Sequence, residues 1–281
     1  MTRTRATRRT FLGGLTAAAV GVPTLLRAQP RTVKIGMVCP VSGPMADVGQ
    51  DSRLGAQLAV EAINAAGGVM SLGGARLELL TADSETKADV ARSEADRLIN
   101  AGAQIMTGAY HSAHVATISL LAQQRRVPYV IDISAADAPT ANAARSVRES
   151  QQKTQYVYRI FPGSVTFGRN AVRYMTEIFR EAKASPKRLV LMYSNDLFGK
   201  TQTDSFQAAI KAASPGFEVV DVIPYPENAV DLSTEVARAR AAPPDVLAPG
   251  NRPATPIHLL VELARQRTEL MGVIIPGAPR Q

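Results

Sequence analysis

Short apolar runs rich in β-branched residues alternate with longer segments of helical periodicity from residue 32 onward. The runs predict nine strands, at 32–38, 76–82, 104–108, 127–133, 156–160, 188–193, 217–224, 245–248 and 272–275. Helical spacing predicts helices over about 54–63, 88–99, 115–122, 168–182, 201–213 and 256–266. Strands and helices that alternate in this way are typical of βαβ units, so we expect an α/β protein built on parallel sheets.

The predicted elements fall into two groups, and the turn-rich segment Phe161-Pro162-Gly163 lies between them. A chain of 281 residues is long enough for two lobes. We therefore expect an N-terminal lobe over 31–163 and a second lobe over 164–281. No helix follows the last predicted strand to cover it, although parallel strands are normally buried on both faces. We accordingly expect the C-terminal part of the fold to be missing.

The first 28 residues have the organisation of an export signal. A basic segment contains the pair Arg8-Arg9, an apolar run from Phe11 to Leu26 follows, and Ala28 precedes Gln29-Pro30. The pair resembles the twin-arginine pattern, which directs folded proteins across the inner membrane. The alternative, a basic amphipathic helix on a cytosolic protein, lacks a charged face along the apolar run. We expect cleavage near Ala28 and a periplasmic protein.

Much of the net charge of +8 comes from this N-terminal segment. Five arginines precede residue 30, and without them 27 basic residues stand against 24 acidic ones, scattered along the chain. We therefore predict no nucleic-acid partner, because such binding needs a concentrated basic surface. The single cysteine, Cys39, excludes an intramolecular disulfide and is expected to be buried at a strand end.

Several ordered motifs resemble the type I periplasmic binding proteins of the leucine/isoleucine/valine-binding kind. These motifs are Val41-Ser42-Gly43-Pro44 with Gly49, Glu61 to Val69, Asp83-Ser84-Glu85-Thr86, Gly108 to Ser112, Val127 to Pro139, Tyr158-Arg159, and Tyr193 to Gly199. The resemblance covers essentially the whole chain after Pro30. It implies a two-lobed fold that captures a small polar solute, such as an amino acid, and delivers it to an inner-membrane ABC permease.

The resemblance also implies a set of solute-binding residues on the loops that follow the strands. They are Ser42, Tyr110, His111, Ser112, Ala135, Ala136, Asp137, Phe198 and Asn251. At Asp137 the sequence departs from the family, which typically has threonine there. A carboxylate at this position repels a solute carboxylate, so we expect it to pair with a solute ammonium or to select a different solute group. The acid with which the family binds an ammonium is not matched at 277–279.

Five of these residues also suit ordinary structural roles. Ser112 also suits a helix N-cap, and Asp137 and Asn251 also suit turns. Tyr110 and His111 are equally suited to packing beneath a helix.

An enzyme and a ligand-sensing receptor are the two other functional classes to compare with the sequence. His111 and His114 form an H-x-x-H pair, but no third ligand lies near them in sequence, so we predict no metal, no cofactor and no enzymatic activity. No Gly-x-Gly-x-x-Gly follows a strand, which argues against a dinucleotide. An extracytoplasmic ligand-sensing domain of the same fold remains an alternative to the transport role.

Overall fold

The computed structural model describes residues 31–149, 153–250 and 255–275. Nine strands lie in these ranges: β1 (Thr32–Cys39), β2 (Arg76–Asp83), β3 (Ile105–Gly108), β4 (Tyr129–Ile131), β5 (Val157–Arg159), β6 (Arg188–Ser194), β7 (Glu218–Tyr225), β8 (Val246–Gly250) and β9 (Gly272–Val273). The helices are α1 (Ala46–Ala65), α2 (Ala88–Asn100), α3 (Ser112–Arg125), α4 (Ala138–Glu149), α5 (Ser164–Glu181), α6 (Leu197–Ala213), α7 (Ser233–Ala241) and α8 (Thr255–Arg265), with a short 3₁₀ turn at Met70–Leu72. The predicted export signal at 1–28 lies outside the described residues.

The strands form two separate parallel sheets. The first has the order β2-β1-β3-β4-β5 and the second the order β7-β6-β8-β9. Every paired strand runs parallel to its neighbour, with Val38 opposite Gly108 in the first sheet and Tyr193 opposite Gly250 in the second. The predicted parallel α/β architecture is therefore confirmed.

Each sheet has its own apolar core. In the first, Met106, Tyr129 and Val157 pack beneath α2 and α3, which contribute Leu98 and Ile118. In the second, two clusters lie on opposite faces of the sheet. One contains Val190, Met192, Val236 and Leu259, and the other contains Val172, Met175, Leu191 and Ile210. The side chains of β6 alternate between these two clusters, as expected for a strand that is covered on both faces.

Two helices were not predicted from the sequence. Helix α4 begins at Ala138, directly after the loop that follows β4, and buries only Pro139 and Ala143. Helix α7 buries only Val236 and Ala239. Such small buried surfaces leave too little apolar periodicity to distinguish a helix from a polar connection.

Helix α1 presents its apolar face to solvent. The predicted face of Leu54, Leu58 and Ile63 is 54%, 56% and 40% exposed, and Gly49 is the one buried residue of the helix. On the sheet beneath it, Ile35, Leu79 and Ile105 are only partly buried. This side of the first sheet is therefore incompletely covered by the residues that the structure describes.

None of the helices described in the structure combines enough length with enough apolar character to cross a bilayer.

Candidate functional site

The loops that follow the strands lie at one edge of each sheet, because the carboxyl ends of parallel strands point the same way. From the first sheet come the loops after β1, β3 and β4, and from the second the loops after β6 and β7. Atoms of the two sets meet, since the side chain of His111 after β3 contacts that of Glu227 after β7. The candidate site is this cleft between the two sheets.

The loop after β3 is held in a strained shape. Gly108 has φ +96°, and a Cβ there would lie 2.2 Å from the carbonyl oxygen of Val38. Tyr110, partly buried, has φ 60°, a left-handed conformation that is uncommon for a residue with a large side chain. Its N–H donates to Asp132, whose pKa is raised by burial. The close approach of Gly108 to Val38 and the bond from Tyr110 to Asp132 hold the backbone in this conformation. The loop is therefore pre-organised.

The helix that follows this loop is capped by His111. The Nδ1 atom of His111 accepts a hydrogen bond from the Ala113 N–H at 3.2 Å. Ser112 is 1% exposed, and its Oγ lies 3.0 Å from the Oγ of Ser134, which follows β4. The structure therefore assigns the cap to His111 and directs the Ser112 hydroxyl to the neighbouring loop.

Arg159, at the end of β5, holds the loop after β4 in place. Its Nη1 donates to the carbonyl of Ser134 at 3.1 Å, its Nη2 donates to the carbonyl of Ala136, and its Nε donates to Thr140 Oγ1 at 3.2 Å. Burial lowers the pKa of Arg159. The sequence marked Arg159 as part of a family motif but did not reveal these contacts, which join residues 19 to 25 positions apart.

The carbonyl contacts of this loop determine where its N–H groups point. In a trans peptide the N–H points opposite to the carbonyl, so the N–H groups of Ala135 and Asp137 point away from Arg159. The Ala135 carbonyl accepts from Ser164, at 2.8 Å from the amide and 3.0 Å from the hydroxyl, which directs the Ala136 N–H elsewhere. Within the described residues, no hydrogen bond uses any of these three N–H groups. Ala135 and Ala136 are 1% and 0% exposed, so two of the three donors belong to buried residues and have no acceptor within 31–149, 153–250 and 255–275.

The carboxylate of Asp137 points toward the second lobe. Its Oδ2 accepts from the Val165 N–H at 3.0 Å, in the first turn of α5. A Cβ at Gly163 would lie 1.8 Å from Asp137 Oδ1, so the residue at 163 has to be glycine for this approach. The N-terminal end of a helix stabilises a negative charge. This contact gives the aspartate a structural role at the position where the family has threonine.

Ser42 lies on the exposed loop after β1, at the edge of the cleft. Its N–H donates to Asp83 Oδ1 at 3.3 Å, and its carbonyl accepts from Thr86 Oγ1 at 3.0 Å. Burial alone raises the pKa of Asp83, but the hydrogen bonds from Ser42, Glu85 and Val41 outweigh it and hold that pKa below its ordinary value. The loop is thus fastened to the end of β2.

The second lobe contributes Phe198 and two acids. Phe198, in the first turn of α6, is partly buried, and Asp196 caps the same helix by accepting from the Gly199 N–H at 2.7 Å. Glu227 follows β7, and its Oε1 lies 2.6 Å from His111 Nε2. No sequence pattern indicated Glu227, because only the pairing of the two lobes brings it to His111.

The H-x-x-H pair is not arranged to chelate one ion. The rings of His111 and His114 are stacked, with centroids 4.6 Å apart and planes inclined by 24°. Ring nitrogens direct their lone pairs in the ring plane, so stacked rings cannot direct them at one ion between their faces. Asn251 lies outside the described residues. The solute-binding role of the other eight predicted residues stays a prediction.

Comparison with known proteins identifies the family. The sequence from residue 32 to residue 274 matches the family described as "Periplasmic binding protein". The chain belongs to the periplasmic binding protein family. It is 30% identical over 240 residues to the Leu/Ile/Val-binding protein homolog 8 of Brucella abortus, across 83% of this chain and 56% of that relative. This periplasmic binding protein therefore spans little more than half the length of the curated relatives it matches.

Solved structures share the fold of this periplasmic binding protein. The branched-chain amino acid transporter substrate binding protein of Streptococcus pneumoniae, in complex with isoleucine, gives a TM-score of 0.72 at 20% identity, over 87% of this chain and 64% of that one. A solute binding protein from R. palustris, in complex with 4-hydroxybenzoate, gives 0.68 at 20% identity, over 87% and 61%. The resemblance drawn from the sequence motifs is confirmed. The family consists of binding proteins rather than enzymes.

Proposed function

We propose that this chain is the solute-binding component of an ABC importer and that it captures a small solute through a carboxylate. The observation that carries the proposal is the trio of N–H donors at Ala135, Ala136 and Asp137, on the loop whose Ser134 hydroxyl contacts the Ser112 hydroxyl. Backbone N–H groups of a loop that leads into the start of a helix suit an anion. The relatives that bind isoleucine and 4-hydroxybenzoate support a carboxylate, since both solutes contain one.

The position of Asp137 is compatible with this proposal. Its carboxylate accepts from the Val165 N–H, so its charge is offset by the N-terminal end of α5. The sequence alone suggested that Asp137 repels a solute carboxylate or binds an ammonium. In our proposal Asp137 instead contributes its backbone N–H to the solute and its side chain to α5.

Titration calorimetry with matched pairs of solutes tests the carboxylate. We expect isoleucine or 4-hydroxybenzoate to bind, and the corresponding amide to bind at least about tenfold more weakly, because the amide lacks the charge that the N–H donors favour. Ser112→Ala should weaken binding of the carboxylate by roughly 10- to 150-fold, the range expected for losing a hydrogen bond to a charged group.

The matched control is Ser119→Ala, because Ser119 is a buried serine of the same helix, two turns beyond the cleft. This variant should bind like the parent chain. Equal affinity for acid and amide, or equal losses in the two serine variants, would contradict carboxylate capture at this loop.

Export by the twin-arginine route is the second part of the proposal. Lysine at both Arg8 and Arg9 should retain the precursor in the cytoplasm, because a receptor reads the paired arginines themselves. Cell fractionation followed by immunoblotting measures this. Lysine at Arg3 and Arg5 keeps the same charge and serves as the control, which should be exported normally. Undiminished export of the Arg8/Arg9 variant would show that another route suffices.

A further inference from the structure

One imidazole and two carboxylates converge where the two lobes meet. His111 Nε2 lies 2.6 Å from Glu227 Oε1 and 3.9 Å from Asp196 Oδ2. The three side chains offer ligand atoms that all lie within 4.8 Å of one another. The His111 and Asp196 side chains are each 7% exposed and that of Glu227 is 24% exposed. Three loops from two lobes thus place one nitrogen and two oxygens in a largely buried cluster.

The spacing and charge of this cluster suit a divalent ion. Zinc bonds to histidine nitrogen and carboxylate oxygen are about 2.0–2.2 Å long, which places the ligand atoms of a tetrahedral site roughly 3.3 Å apart. The observed separations of 2.6 and 3.9 Å lie on either side of that value, so small rotations of the Glu227 and Asp196 side chains would bring both to it. Two carboxylates also balance the double positive charge of the ion, which favours binding away from water.

Two of the three ligands are held in position by other groups. Asp196 Oδ1 accepts from the Gly199 N–H at 2.7 Å and from the Ser194 hydroxyl at 3.2 Å, while Oδ2 faces His111. The imidazole is fixed by its stacking on His114. Outer contacts that orient metal ligands in this way are a regular feature of protein metal sites.

The tautomer of His111 has to change when a metal binds. Nδ1 now accepts from the Ala113 N–H, so in the neutral ring the proton is on Nε2 and is donated to Glu227. A metal needs the Nε2 lone pair, so the ring proton moves to Nδ1 and the 3.2 Å bond from Ala113 is given up. The capping bond from Ala113 and the hydrogen bond to Glu227 are both given up, and coordinate bonds from His111 and Glu227 to the ion replace them.

We propose that a first-row divalent metal ion binds to His111, Asp196 and Glu227 and bridges the two lobes. The imidazole favours zinc and its neighbours in the series over calcium and magnesium, which prefer all-oxygen sites. This ion is a second ligand beside the proposed solute, and it stabilises the arrangement in which the lobes contact each other. The site goes beyond the proposed function and does not depend on the identity of the solute.

Titration of the chain, stripped with EDTA and dialysed, tests the site. Zn²⁺ followed by calorimetry and Co²⁺ followed by visible absorption should each give one ion per chain. His111→Ala and Glu227→Gln should each weaken binding by at least about 100-fold, because the first removes a direct ligand and the second replaces a charged carboxylate ligand with a neutral amide. The matched controls are His258→Ala on α8 and Glu235→Gln on α7, both outside the cluster, and they should bind like the parent chain.

Thermal unfolding provides a second measurement on the same variants. Zn²⁺ should raise the Tm of the parent chain and both controls but not that of His111→Ala or Glu227→Gln, because an ion that binds only the folded state stabilises it. If Zn²⁺ binds the cluster variants as tightly as the controls, or raises every Tm alike, the site is overturned and His111–Glu227 is a direct hydrogen bond only. Solute titrations repeated in EDTA keep the two proposals distinguishable, since carboxylate binding there is independent of the metal result.

Discussion

Gly108→Ala is expected to destabilise the protein by about 3 kcal/mol or more and to abolish the geometry of the loop after β3. Two penalties act together at this position. The backbone has φ +96°, which disfavours any residue with a Cβ, and the added Cβ would lie 2.2 Å from the carbonyl oxygen of Val38. That oxygen belongs to β1, a strand paired on both sides in the first sheet, so it cannot move aside without disrupting the sheet. Chemical denaturation followed by circular dichroism measures the change.

Gly55→Ala is the matched control for this experiment. Gly55 lies within α1, and a Cβ there meets nothing within 4 Å. Alanine favours a helix interior over glycine, so this variant should gain roughly 0.5–1 kcal/mol in stability. A similar free energy of unfolding in the two variants would show that the loop after β3 is not held as the structure indicates.

Arg159→Lys is expected to reduce both stability and solute affinity. The guanidinium donates to the carbonyls of Ser134 and Ala136 and to the Thr140 hydroxyl at the same time. A lysine ammonium has one nitrogen and cannot reproduce this planar fork. We expect a loss of about 2–4 kcal/mol in unfolding free energy. The affinity for carboxylates should fall at least about tenfold, because the N–H groups of the loop are no longer oriented.

Arg173→Lys is the control variant, because it makes the same arginine-to-lysine substitution outside the loop after β4. Arg173 lies over the ring of the exposed Tyr174 at 4.7 Å from its centroid, and its replacement should change stability by less than about 1 kcal/mol. Calorimetric titration and denaturation of both variants measure the two effects. If Arg159→Lys retains the parent affinity while Ser112→Ala loses it, the solute does not depend on the loop after β4.

The sheets were predictable because their strands are apolar runs whose signal is local. All nine predicted strands are present, and the error is confined to their ends, as at β4, where the prediction of 127–133 contracts to Tyr129–Ile131. The loops that carry the predicted site residues were also predictable, since each follows directly after a strand. The two missed helices, α4 and α7, bury only two residues each, so their sequences contain little of the periodicity that identifies a helix.

The contacts within the cleft could not be predicted, because they join residues that are distant in sequence. Glu227 is 116 positions from His111, and no pattern near either residue indicates the other. The same holds for Asp137, whose neighbours suggested a turn or a solute contact, while its carboxylate accepts from Val165 in the next lobe. Sequence motifs located the loops, but the pairing of the side chains follows from how the two sheets are placed.

The first turn of α5 joins the two lobes. Its amide groups at Ser164 and Val165 are held by Ala135 and Asp137 of the first lobe, while its body packs along α6 of the second lobe. A solute that binds the N–H donors after β4 therefore binds the same loop that holds the N-terminal end of α5, so solute binding and the placement of the second lobe are coupled through one short segment.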